Sequence, residues 1–242
     1  MKAPLFALLL IVSAAWCAQP ETFDEFENNT LRLLGARQYT YLAEFWASWA
    51  GRWVRHPRIA ELTLSTASRL PRLEQRQKVL KAICDPEGDL AARSKVFLEY
   101  GQGLLLTGDF DSAAGILSKS REREALFHRG EAVLALGDAD RARVYFEAYL
   151  GRGDRPGEWA TRARLRLAEL ALGAMRLADA RKLLAAAGGD SPDALILACR
   201  ISEKGGTQEE RARALAELKK RFPGHEKTEA YLAQQAGGKK GG

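Results

Sequence analysis

The chain has 242 residues, 46% hydrophobic and 28% charged, with a formal charge of +6. That balance excludes a disordered chain and suits one elongated domain or two small ones. Leu, Ala, Arg and Glu dominate while Val, Ile and Thr are scarce. Intrinsic propensity therefore favours helices nearly throughout, and the expected class is all-α.

The N-terminus reads as a targeting segment. Lys2 supplies the positive start, Leu5 to Val12 a short apolar stretch, and Ser13, Ala14 and Ala15 the small residues a signal peptidase needs. Residues 1–15 are accordingly expected to be a signal peptide, too short for a stop-transfer helix. The exported chain then starts at Trp16, with the periplasm as its expected location and no transmembrane segment left. Cys17 opens a second reading, a lipid anchor, but Trp16 stands where such sites usually carry a small residue. An oxidising compartment permits disulfides. Cys84 and Cys199 lie on separate helix pairs, however, and are read as two buried thiols. No cysteine or histidine cluster has metal-ligand spacing, so neither a metal nor a cofactor is expected.

Residues 21–93 read as degenerate helix pairs. Glu21 to Glu27 carries four acids and no base, whereas Arg52, Arg55, Arg58, Arg69, Arg72, Arg76, Lys78 and Lys81 face only Glu61 and Glu74. Such a stretch reads as a solvated helix face, and export argues against a nucleic-acid partner. Leu42, Trp46, Trp49 and Trp53 fall on one stripe of an amphipathic helix ended by Pro57. Helical spacing favours a core stripe over a glycan or partner site. His56 to Arg69 and Arg72 to Ala82 form the next pair, and an Asp85-Pro86 turn closes this part of the chain. Asn28-Asn29-Thr30 is a glycan acceptor only on a eukaryotic secretory route.

A repeat then emerges. Gly101, Leu104, Gly108, Asp109, Phe110, Ala113 and Leu117 recur with the same spacing as Gly130, Val133, Gly137, Asp138, Ala139, Ala142 and Phe146. The first glycine lets a neighbouring helix approach, the Gly-Asp pair ends one helix and caps the next, and the later alanine sits where two helices cross. A third unit has Ala168, Ala171, Met175, Ala180 and Leu184, without the turn glycine, and runs to Ala187 and Pro192. A fourth has Ala198, Ile201 and Gly205 on its first helix and Glu209 to Arg221 on its second, with Ala212 as the expected crossing alanine. Residues 225–236 are expected to be a capping helix. Residues 237–242 are expected to be a flexible tail.

These residues resemble the tetratricopeptide-repeat family, whose motif of about 34 residues carries small residues at its eighth and twentieth positions and often a late proline. Gly101, Gly130 and Ala168 match the eighth, Ala113, Ala142 and Ala180 the twentieth, and Pro192 the proline. Two spacings depart from the motif. Ala113 to Ala142 is 29 residues and Ala142 to Ala180 is 38, so one turn is shortened and the loop Gly151 to Gly157 enlarged. The resemblance is good over residues 94–192, with the repeats expected to run over 94–224, and it implies a right-handed superhelical solenoid of antiparallel helix pairs.

No residues assemble an active site, and the chain is not expected to be an enzyme. Gly189-Asp190-Ser191 lacks the strand-turn-helix context of a nucleophile turn, and Ser191 reads as the cap of a helix starting at Pro192. His56, His128 and His225 are isolated. Gly101-Gln102-Gly103 lies within a helical pattern and is no phosphate loop. The expected function is a noncatalytic, extracytoplasmic scaffold or adaptor that binds a peptide or partner protein of the cell envelope. The other readings are a glycan hydrolase of the envelope or its helical accessory domain, and an outer-membrane assembly lipoprotein.

The resemblance also implies a site. In this family the first helix of each pair lines a groove, which places Lys95, Leu98, Gln102 and Leu105 there, then Glu124, Phe127, Glu131 and Leu134, then Arg162, Leu165, Glu169 and Leu172. Leu98, Phe127 and Leu165 are expected to form an apolar strip beside the ladder Gln102, Glu131 and Glu169. That strip suits a peptide with apolar anchors and a basic residue; packing between neighbouring helices uses the same residue types.

Overall fold

The computed structural model describes residues 19–84, 92–153 and 157–238. The leader, Cys17, the Asp85-Pro86 turn and residues 239–242 lie outside them. The described residues form thirteen α-helices and no strand. In order these are α1 (Phe23–Gly35), α2 (Tyr39–Trp49), α3 (Ile59–Ser68), α4 (Leu73–Lys81), α5 (Ser94–Thr107), α6 (Phe110–Leu117) and α7 (Arg123–Ala135). There follow α8 (Ala139–Gly151), α9 (Glu158–Gly173), α10 (Leu177–Ala187), α11 (Pro192–Gly205), α12 (Gln208–Arg221) and α13 (Glu226–Gly238). They divide into two compact units, residues 1–132 and 133–242, with the boundary inside α7.

In the first unit α1 packs on α2, α3 on α4 and α5 on α6, while α3 lies against both α1 and α5. Phe26, Leu42, Trp46, Leu70, Val79, Ile83, Val96 and Phe97 are all fully buried in one core. The Phe26 ring stacks on Phe45 at 5.2 Å and meets Trp46 edge-on at 4.9 Å. The tryptophan stripe is thus core, as its spacing implies, with Trp49 and Trp53 half-buried against the same cluster. One detail differs from expectation: the stripe is not a single α-helix. The α-helix ends at Trp49 and continues as a 3-10 turn, Ala50–Trp53. Gly51 weakens the helix there, and the tighter turn sets Trp53 against the edge of Phe23 at 6.0 Å.

One turn recurs along the chain. Gly108 and Gly137 adopt positive φ of 80° and 87°. Gly108 N–H donates to Leu105 O and Asp109 N–H to Leu104 O; Gly137 and Asp138 repeat this with Leu134 O and Val133 O. That pair of bonds satisfies the last carbonyls of a helix, and a left-handed residue is needed to form it. Asp109 and Asp138 then cap the next helix, accepting from Ser112 N–H at 3.2 Å and Arg141 N–H at 3.0 Å. The third unit keeps the geometry without the glycine: Met175 has φ 58°, and Met175 and Arg176 donate to Leu172 O and Ala171 O.

The same turn closes α1, with Arg37 at φ 55° and bonds from Arg37 to Leu34 O and from Gln38 to Leu33 O. Counting from the left-handed residue places Thr30, Leu42 and Trp46 where the clear repeat has Gly101, Ala113 and Leu117. All three are fully buried. The first pair therefore departs from the motif in residue type and not in turn geometry.

Small residues set how closely the helices approach. A Cβ on Gly101 would lie 2.4 Å from Leu117 Cγ, so α5 and α6 meet through the absence of a side chain. Ala113, Ala142 and Ala180 are each wholly buried.

In the second unit α9 packs on α8 and α10, α11 on α10 and α12, and α13 on α11. Leu165, Ala168, Ala171, Ala180, Ala194, Leu197 and Ile201 form one core, and Ile196, Cys199, Leu218 and Tyr231 a second. Tyr231 belongs to α13, so the last helix covers an apolar face as a cap should. Ser191 accepts from Ala194 N–H at 3.2 Å and Pro192 opens α11, as the sequence implies.

The crossing residue of the fourth pair needs correction. Ala212 is exposed, whereas Leu218 is the buried residue of α12, with Ala214 and Leu215 packed beside it. Gly205-Gly206 lengthens the turn, and the capping box of Thr207 with Glu210 starts α12 afresh. The alanine register of the earlier repeats is lost across that turn. Cys84 and Cys199 are both buried thiols.

Replacing Ala113, Ala142 or Ala180 with leucine should overpack a crossing and destabilise the protein by about 1 to 3 kcal/mol. Met175→Gly should act in the opposite direction, by about 1 kcal/mol, because it removes the left-handed penalty. Urea denaturation followed by circular dichroism measures both, and neutral leucine variants would refute the register.

Candidate functional site

The first unit contains a concavity of about 620 Å3 walled by Leu64, Ala67 and Ser68 of α3, Arg76 and Leu80 of α4, and Lys95, Leu98 and Glu99 of α5. Glu122 and Glu124, at the start of α7, close it. Three of the expected groove residues, Lys95, Leu98 and Glu124, thus converge on one hollow. Its floor is apolar, because Ala67 and Leu80 are buried and Leu64 and Leu98 half-buried.

The charges of this hollow differ from those nearby. Arg76 donates through Nε to Leu70 O at 2.6 Å. Elsewhere in the unit Glu27 is bound by Arg58 and Glu44 by Lys78. Glu99, Glu122 and Glu124 have no ion-pair partner among the described residues, and neither does Lys95. Three carboxylates against the two cations Arg76 and Lys95 leave the hollow with an excess of negative charge, which favours an arriving cation.

The other expected positions in this unit, Gln102, Leu105, Phe127 and Glu131, do not line this hollow. Gln102 Nε2 lies 2.7 Å from Nε2 of the buried His128. Leu105 packs against Ala113, Leu117, Ala125 and Ala132, and its carbonyl accepts the turn bond from Gly108. Phe127 is 3% exposed and offers almost no surface. Glu131 is half-buried.

In the second unit Leu134 and Leu172 are half-buried, and their carbonyls accept the corresponding turn bonds. Leu165 is buried in the α9–α11 core. Arg162 is exposed, pairs with Glu158 at 2.6 Å and lies over the Trp159 ring at 4.9 Å. Glu169 pairs with Arg166 at 2.9 Å. It also lines a smaller hollow of about 220 Å3 with Asp193, Arg200, Lys227 and Tyr231. Of the expected apolar strip, Leu98 keeps surface while Phe127 and Leu165 are spent on packing.

A polar network in the second unit has no signature in the sequence, because its members lie on three different helices. Tyr231 donates to Glu203 Oε1 at 2.7 Å, Arg211 reaches Glu203 at 3.3 Å, and Arg211 also donates to Gln235 at 2.7 Å. Burial, followed by the Glu203 hydrogen bond, holds the Tyr231 phenol well above its ordinary ionisation range. Burial likewise raises the Cys199 thiol, which keeps it protonated and a poor nucleophile.

His56 and His128 are in packing positions, and His225 is exposed. His56 stacks on Phe23 at 3.6 Å, and His225 accepts from Lys227 N–H at 3.2 Å. Asp190 of the Gly-Asp-Ser stretch pairs with Arg221 at 2.7 Å. Among the described residues no three His, Cys, Asp or Glu side chains cluster as a metal site, and no helix is long and apolar enough to cross a membrane.

No family model matches the chain, and no curated protein does. Solved structures do. PilW, described as a widely conserved type IV pilus biogenesis factor, is 14% identical with a TM-score of 0.58, over 88% of this chain and 99% of its own. PilF of Pseudomonas aeruginosa is 18% identical with a TM-score of 0.52, over 87% and 96%. YrrB, described as a tetratricopeptide-repeat protein with an unusual peptide-binding site, is 15% identical with a TM-score of 0.56, over 74% and 89%. The fold is that of the tetratricopeptide-repeat proteins, a helical solenoid.

Burial separates the expected site residues into two experimental classes. Phe127→Ala should destabilise the chain by about 3 to 5 kcal/mol, as a large core truncation does. Lys95→Ala should stay within about 0.5 kcal/mol. Thermal melting of the two variants checks this, and a neutral Phe127→Ala would place that ring on the surface.

Proposed function

We propose that the chain is a noncatalytic, exported scaffold that binds a peptide segment of an envelope partner in the hollow of its first unit. The observation that carries this reading is the convergence of Lys95, Leu98 and Glu124 on one apolar-floored concavity, beside the uncommitted carboxylates of Glu99 and Glu122. The occupant that fits is a segment with an apolar side chain for the Leu64, Leu80 and Leu98 floor and an adjacent Lys or Arg for the carboxylates. The peptide-binding site named for YrrB supports the class of ligand.

Export rests on the Lys2 to Ala15 leader. PilW, of the same fold, is described as a pilus biogenesis factor, which supports a role in assembling an envelope structure. N-terminal sequencing of the mature protein should start at or near Trp16. An intact Met1 on the functional protein would end the export half of the proposal and leave the groove half standing.

The groove is tested by selecting peptides from a displayed random library on the purified chain. Selected peptides should pair a basic residue with a Leu, Ile or Phe. Glu99→Lys with Glu124→Lys should weaken them by about tenfold or more, since close charge pairs carry about 1.4 kcal/mol or above. Leu98→Ala should weaken them too, with helical circular dichroism retained and a lowered melting temperature from its lost packing on the Ala113 and Leu117 cluster. Selected peptides that bind all three substitutions equally well would show the hollow is not the site.

A further inference from the structure

The second unit carries a groove of its own, separate from the hollow of the first. It lies between α8 and α10, with one face of α9 as its floor, and encloses about 430 Å3. Leu167 and Ala171 of α9 are buried at its base, and Leu150 and Leu183 flank them half-buried. On α9 the residues Arg164, Leu167 and Ala171 lie roughly half a turn around the helix from Arg162, Leu165, Glu169 and Leu172. The groove is therefore on the other face of α9 from the residues expected to meet a peptide.

Its charge is one-sided. Among the lining residues, Arg143, Arg164, Arg176 and Lys182 outnumber Glu147 and Asp179. Each of those acids is held by an arginine of the same repeat, Glu147 by Arg143 at 3.4 Å and Asp179 by Arg176 at 3.5 Å. Lys182 is exposed and has no acidic partner among the described residues. An excess of cation at the rim of an apolar trough calls for an occupant that is leucine-like on one face and acidic beside it.

We infer that this trough is a second docking surface and takes an acidic amphipathic helix of a partner protein. A helix laid between α8 and α10 sets its apolar stripe on Leu150 and Leu183, which keep surface above the buried Leu167 and Ala171, and its flanking carboxylates beside Arg143 and Lys182. A flat anionic bilayer meets the same cations but cannot follow a concavity down to Leu150 and Leu183, so the observations favour the helix. The site is independent of the first-unit hollow, whose carboxylates repel such a ligand.

The test uses the purified full chain and a fluorescein-labelled synthetic helix of about 20 residues, long enough to be helical in water. It carries leucines along one stripe and glutamates beside them. A second peptide with every glutamate replaced by glutamine is the comparator. Anisotropy should show the acidic peptide bound about tenfold or more tightly than its glutamine form. The double variant Arg143→Glu with Lys182→Glu should remove that advantage, and Lys182→Gln, at an exposed position, should reduce it. Glu99→Lys with Glu124→Lys should not lower it, so failure here and failure of the first-unit site are read separately. Equal binding of the two peptides, or binding indifferent to Arg143 and Lys182, overturns the inference. So does phosphatidylglycerol vesicle binding that depends on these cations while the acidic peptide does not bind, since the occupant is then a membrane.

Discussion

Everything in this chain depends on how closely two helices of a pair can approach after a tight turn. A residue seven places before the left-handed position must leave room, and a large side chain nine places after it must fill that room. Gly101 and Leu117 meet this condition directly, because a single added Cβ would collide with the leucine. Once the pair is set at that distance, apolar atoms leave water on both helices, which is the dominant favourable term. The next pair then packs against a face whose shape is already defined.

The condition is geometric, so different residues satisfy it. Thr30, Leu42 and Trp46 occupy in the first pair the places of Gly101, Ala113 and Leu117, and are buried just as deeply. Phe26 and Phe45 stack around Trp46, so aromatic bulk replaces close backbone approach. Met175 and Arg37 likewise take a backbone conformation that usually selects glycine. Both sit at a turn in which two hydrogen bonds satisfy otherwise orphaned carbonyls, and those bonds offset the local strain.

The same packing decides which surfaces remain for partners. Residues on the first helices that fill gaps between pairs, such as Phe127 and Leu165, have little left to offer a ligand. Residues one turn away keep their side chains in the hollows, where charge selects what enters. The first-unit hollow has more carboxylates than cations in its lining, and the trough between α8 and α10 carries the opposite excess. The formal charge of the whole chain conceals this division.

The sequence by itself determined the helical class, the Gly-Asp turns, the crossing alanines Ala113, Ala142 and Ala180, the Ser191 cap and the closing helix. Each of these is local: turn chemistry, capping and apolar periodicity act over a few residues, and their signals sit next to one another in the chain. Tertiary structure decided the rest. The first pair's register was hidden because Thr30, Leu42 and Trp46 meet a steric condition without the motif's residue types. Ala212 lost its place because the Gly205-Gly206 insertion broke the count from the previous helix. A groove read from helical register did not separate Leu98 from Phe127, since both are apolar at equivalent positions and only the neighbouring helices determine which one is covered. The Tyr231–Glu203–Arg211 network and the cationic trough were equally out of reach, because they join side chains from three helices and exist only once those helices are packed.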